Sequence, residues 1–229
     1  MHFHLPKPLH GWREFVGEVG IIVIGVLIAL GAEQVVEAMH WRSEVEAARQ
    51  SLYDTVPGNL NAAKWRQQQQ PCVDRRLAEI DQIFEAHALG RPIRLLGTIA
   101  MPVALTGSQT AWQVALSSQA LAHMSLKEKG EFADAFGNYA NLTQVLDRER
   151  EAWLRLGTLD DPTILSDGDW PALHQAYGEA KALNARVQIV TDYVLTQENL
   201  GHRPDLKDDL PEGVQAALKT YCSPVLAKS

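Results

Sequence analysis

A chain of 229 residues with a net charge of -7 and only 7% aromatic side chains is long enough for one domain plus an anchor, or for two small domains. Its wealth of Ala, Leu, Gln and Glu suits helices better than a β-sandwich. Residues 1–32 are neutral, Lys7 and Arg13 balancing Glu14 and Glu18, so all the excess acid follows them. An acidic domain without a basic stripe argues against nucleic acid as a partner, because phosphate neutralisation supplies most non-specific affinity. It is also poorly suited to lying flat on an anionic bilayer.

The first element is apolar. Residues 19–32 carry no charged side chain and cover ~21 Å as a helix. Extending from Phe15 to Val36 gives ~33 Å, enough for the ~30 Å hydrocarbon core of a bilayer. Glu18 and Glu33 then sit at its boundaries, and Trp12 and Trp41 lie ~44 Å apart on a continuous helix, close to a full bilayer with its headgroups. The expected organisation is a short cytoplasmic tail over 1–14, a transmembrane anchor over 15–36 and a helical periplasmic domain over 37–229. Orientation follows from the flanks: Lys7 and Arg13 precede the span, whereas Glu33 and Glu37 follow it with no base before Arg42, so the positive-inside tendency places the N-terminus in the cytoplasm. A cleavable signal peptide, cut after Gly31 or Ala32, is the competing reading; the unbroken helical character through Val35, Val36, Ala38 and Met39 favours a retained anchor. At 100° per residue, Gly25, Ala29 and Ala32 share one face of the span. Gly25-x-x-x-Ala29 is a small-x-x-x-small pair that lets helix backbones approach closely in lipid, which predicts a homodimer or a membrane-protein partner there.

Beyond the span the helical pattern continues to Thr55, and Pro57-Gly58 predicts a kink or turn. Helices are expected over 59–70 and, after Pro71, to about Ala88, where Val73, Leu77, Ile80 and Phe84 recur at helical spacing. Ile93–Leu105 reads as an extended connector. Ser108 is the expected N-cap of a helix to about His123. Ser125-Leu-Lys-Glu128 is a capping box opening a helix to Leu156, with Gly157 as its C-cap. Asp169-Trp-Pro171 opens a helix to about Leu200 that ends at Gly201, 204–210 is loop, and a last helix covers 211–221. Long helices and short loops predict an all-α, up-and-down bundle. In a periplasmic domain the two cysteines, Cys72 and Cys222, pair as one disulfide, closing a long loop and tying the last helix to an early one.

The sequence holds no His-Glu-x-x-His, Gly-x-Ser-x-Gly, phosphate-binding loop or dinucleotide fingerprint, and it implies no cofactor. His2, His4 and His10 read as an N-terminal tail. Glu33, Glu37, His40 and Glu44 fall on one helix face just outside the bilayer, and Glu37-x-x-His40 has the spacing of di-iron bundles. Such sites need a second motif that this chain lacks, so Glu37 and His40 are only weak metal candidates. Asp147–Glu151 alternates in charge and reads as a solvated face. Trp112, Trp153 and Trp170 are expected in the core.

Two segments carry a resemblance. Gly17-Glu-Val-Gly-Ile-Ile-Val-Ile-Gly-Val-Leu-Ile-Ala-Leu30 with the acidic helix after it, and Thr110-Ala-Trp-Gln-Val-Ala-Leu-Ser-Ser118, resemble a group of bacterial single-pass membrane proteins of unknown function. The likeness covers about the first 50 residues and 106–125. It implies an inner-membrane anchor carrying a helical extracytoplasmic domain, and it implies no reaction. The expected function is a non-enzymatic, anchored module that binds a partner protein or ligand. The alternatives are a sensor-like input domain working through a partner, and a membrane-proximal metalloenzyme using Glu37 and His40.

Overall fold

The computed structural model describes residues 11–104, 107–196, 210 and 212–226. Among these the protein is all-α, with six helices: α1 (Trp12–Gln68), α2 (Gln70–Ala88), α3 (Thr110–Ser117), α4 (Leu126–Leu156), α5 (Trp170–Leu195) and α6 (Glu212–Tyr221). Short 3-10 turns cover Ala120–His123, Gly157–Asp160 and Pro162–Ile164. The tail histidines His2, His4 and His10, the expected helix end at Leu200 and Gly201, and most of the loop before α6 lie outside the described residues.

α1 is one unbroken helix of 57 residues, ~86 Å long. Its most apolar 18-residue stretch has a mean hydropathy of 2.4 and buries nothing, so length and composition permit it to cross a membrane. Burial begins at Val45 and continues through Leu52, Val56, Leu60 and Ala63. The turn expected at Pro57 does not form: Pro57 lies inside α1. Proline removes one hydrogen bond and crowds the preceding turn. Buried contacts on both sides, at Leu52 and Val56 before it and Leu60 and Ala63 after it, hold the helix through that defect.

The helix breaks instead at Gln69, and α2 continues in the same direction. Contacts with α5 show this, falling along α5 as they rise along α1 and α2. Gln67 bonds Asp192 at 3.1 Å, Gln70 bonds Asn184 at 3.1 Å, the Tyr177 hydroxyl donates to the Leu77 carbonyl, and His174 and Trp170 stack on Phe84 and His87. α4 runs the other way in register, parallel to α1: His123 lies by Trp41, Glu128 by Arg49, Phe132 by Tyr53 and Glu149 by Arg66. The bundle is therefore an α1–α2 rod with α4 parallel and α5 antiparallel to it, and the irregular segment after α2 returns the chain to the near end.

Two buried amides pin that returning segment. Asn59 donates to the Ser108 carbonyl and accepts the Ser108 N–H, and Gln69 does the same for Val103. Gly107 passes so close to α1 and α4 that a Cβ there would overlap the Asn59 amide and lie 2.6 Å from the Tyr139 oxygen.

Several helix ends differ from expectation. α3 starts at Thr110, whose N–H bonds Ser108 Oγ, with Gln109 as N-cap; it stops at Ser117 because Gln119 takes a left-handed φ of 63°. Ser125 caps α4 by accepting the Glu128 N–H, but Glu128 does not reach back to close the box; its carboxylate binds Arg49. Gly157 stays right-handed and leads into a 3-10 turn. Asp169 turns away from α5 and accepts from the Ser166 N–H and hydroxyl, bonds that hold its carboxyl below the ordinary value.

Candidate functional site

Three places concentrate polar chemistry: the mouth of the bundle beside the apolar segment, a buried layer across its middle, and the far end around the disulfide.

At the mouth, the 3-10 turn after α3 folds against α1, and His123 stacks on Trp41 with centroids 3.9 Å apart and planes 17° from parallel. Arg49 bonds Glu128 and pairs with Glu46, and these bonds draw the Glu128 carboxyl below its ordinary value. Between helix and turn lies an open groove of about 740 Å³ lined by Gln34, Glu37, Trp41, Arg42, Arg49 and His123, among others. Of the four residues Glu33, Glu37, His40 and Glu44, only Glu37 lines it; it accepts a long 3.4 Å bond from Trp41 Nε1. His40 lies against Trp41. No group of three His, Cys, Asp or Glu side chains suited to a metal occurs among the described residues, so within one chain the structure does not bring Glu37 and His40 together with further ligands. Gly25, Ala29 and Ala32 are all exposed. By the 100° helical step they face away from the groove, so the bundle leaves that side of the apolar segment open.

Across the middle, Arg66 and Glu149 form an ion pair at 2.8 Å with side chains only 2% and 3% exposed. Asn184 accepts from Arg66 at 3.2 Å, and Gln70 donates to both Asn184 and Asp74. This layer separates two apolar clusters. The near cluster is built on Leu52, Leu60, Phe132, Phe136, Leu142 and Val190; the far one on Ile80, Phe84, Trp153, Leu156, Trp170 and Leu173. Burial raises the Glu149 carboxyl despite Arg66. Glu149 thus corrects the reading of Asp147–Glu151 as a wholly solvated face, although Asp147 and Arg150 pair in water as expected. Trp153 and Trp170 are core residues, and Trp112 stacks on Phe136 at the core edge.

At the far end, Cys72 and Cys222 form a disulfide with Cα atoms 5.0 Å apart and 150 positions between them in sequence. Buried Arg76 donates to the carbonyls of Thr98, Ile99, Tyr221 and Ser223, packs on the Tyr221 ring and faces Glu79 at 3.2 Å. Glu79 in turn accepts the Val225 N–H. Burial lowers the Arg76 guanidinium pKa and raises that of the Tyr221 phenol. One arginine and one disulfide thereby fasten both the segment after α2 and the end of α6 to α2. Sequence reasoning found the disulfide but not Arg76. Its signal was a position beside Val73, Leu77 and Ile80 on the apolar stripe, where a charge must find partners.

No known protein family matches the chain, and no curated protein or solved structure does either.

Proposed function

We propose that this protein is a membrane-anchored helical module that acts by binding a partner protein or ligand and catalyses no reaction, with its bulk in the periplasm. The observation that carries this reading is α1: its apolar part is bare of intramolecular contacts and passes without a break into the core. Cleavage after Gly31 or Ala32 would cut inside that helix, about a third of the way along it, which supports retention. The disulfide supports an oxidising compartment. The fully buried charged pairs are structural in character: Arg66 pairs with Glu149, and Arg76 fastens backbone carbonyls. The open small-residue face of Gly25, Ala29 and Ala32 is where an anchor partner or a second copy would pack.

A second reading, a sensor-like input domain working through a partner, draws on the same helix. Any rotation of the anchor is felt at Trp41–His123 and Arg49–Glu128.

Membranes from cells expressing the full chain are washed with alkaline carbonate, then solubilised in mild detergent and affinity-purified after crosslinking. Retention in the membrane pellet and a crosslinked partner or dimer that disappears in Gly25→Leu are expected. Release by carbonate, or a strictly monomeric and partnerless protein, would overturn the proposal.

A further inference from the structure

We propose that the groove at the bundle mouth holds the headgroup of a zwitterionic, amine-bearing phospholipid of the surrounding bilayer. The inference rests on the anchoring reading above and assigns that site a ligand.

Height comes first. With the hydrocarbon span ending at Val36, Trp41 and Arg42 stand about 8 Å further along the helix. The headgroup layer is ~5–8 Å thick on each side, so these residues sit at its outer edge. The groove begins lower, at Gln34, within the last turn of the span, and rises to Arg49. Its lower end therefore opens towards lipid and its upper end towards water. On the same helix face below Gln34, the exposed apolar residues Leu30, Leu27 and Val23 continue from that opening and offer a surface for an acyl chain.

Charge comes second. The lining carries both signs. Arg49 is engaged with Glu46 and Glu128, whereas Arg42 has no carboxylate partner among the described residues, is exposed, and can lower its guanidinium towards a phosphate. Glu37 carries only the long Trp41 bond, which leaves acceptor capacity for an ammonium group. An anionic headgroup would bring no positive charge to Glu37, whose only bond is the long one from Trp41; a phosphate joined to a primary amine matches both Arg42 and Glu37. The Trp41–His123 stack forms a rigid aromatic wall at the level where Trp is favoured. The volume, about 740 Å³, is in the range of small-molecule sites. At the same end of the bundle, Leu126 is 81% exposed directly after the α4 cap.

The test uses the full chain in mild detergent with equal amounts of phosphatidylethanolamine and phosphatidylglycerol of identical acyl chains, read by native mass spectrometry. Adducts with phosphatidylethanolamine are expected in about tenfold excess. Arg42→Gln should lose the adducts, and Glu37→Gln should bring the two lipids to parity. Both positions are exposed, and circular dichroism confirms that each variant is folded. Equal retention of both lipids by the parent, or variants indistinguishable from it, would overturn the inference. Carbonate extraction separates the two failures: a carbonate-resistant chain without lipid preference sinks the groove alone, whereas a carbonate-soluble chain sinks the anchor on which it rests.

Discussion

The buried pair between Arg66 and Glu149 makes a quantitative prediction. Each side chain is nearly sealed from water, so removing one partner strands the other charge. Arg66 would keep only the Asn184 and Gln70 oxygens, at 3.2 and 3.3 Å, which are neutral acceptors and cannot compensate a guanidinium in this setting. Arg66→Met and Glu149→Leu should therefore each destabilise the domain by about 3–5 kcal/mol, or roughly 6–20 °C in melting temperature for a chain of this size. The double variant should differ. Both charges are gone, the replacements are of similar bulk, and Gln70, Asn184 and Asp74 still satisfy one another. It should melt within about 1 kcal/mol of the parent, giving a coupling of at least about 5 kcal/mol from the singles' lower bounds. The assay is thermal unfolding of the full chain in detergent followed by circular dichroism at 222 nm. A double variant destabilised by the sum of the two singles would refute the reasoning.

Other expectations follow from the same geometry. Because burial raises the Glu149 carboxyl above its ordinary 4.5, that group favours folding below about pH 4.5 and loses this contribution as pH rises through its folded value; Glu149→Gln should gain stability relative to the parent over that rise, and the opposite trend would contradict the assignment. Cys72→Ser should lower stability by about 3–5 kcal/mol under oxidising conditions, as chain entropy implies for so long a loop, with no difference in reductant; an equal loss in both would refute the bridge. Gly58 is exposed within α1 with open space where a Cβ would stand, so Gly58→Ala should stabilise by about 0.5–1 kcal/mol in a chemical-denaturation curve. Gly107→Ala should lower the melting temperature and loosen hydrogen-exchange protection of Val103, Gly107 and Ser108, since the added carbon collides with Asn59 and Tyr139.

Much of the fold was legible because apolar spacing is a local property. Val73, Leu77, Ile80 and Phe84 place α2, and Ser125 places the start of α4, from a few adjacent residues each. The errors share one physical origin: a partner distant in sequence outweighs the local rule. Pro57 is carried through a helix by packing on both sides. Glu128 leaves its own backbone for Arg49 across 79 positions. Glu149 and Arg76 look like surface charges until α1 and the C-terminal segment are placed beside them. Glu149 nevertheless falls in register with Leu142, Val145, Ala152, Trp153 and Leu156, all buried, so the stripe pointed inward where the charge suggested outward. Of the candidate sites, the small-residue face and the disulfide were readable as patterns. The groove was not, because it needs His123 against Trp41, a pairing that only the return of the chain to the bundle mouth creates.

The absence of any break between the apolar part of α1 and the bundle has a mechanical consequence. A domain tethered by a flexible linker samples many heights and azimuths above its membrane. Here the first loss of helical regularity after Trp12 comes at Gln69, ~86 Å along, and the aromatic stack and the Arg49–Glu128 bond brace the post at its base. On the proposed anchoring, the domain would be mounted at one standoff and one heading. A neighbour in the same bilayer would meet the same face each time, and tilting the post by a few degrees would swing the far end, with its disulfide, through the largest arc.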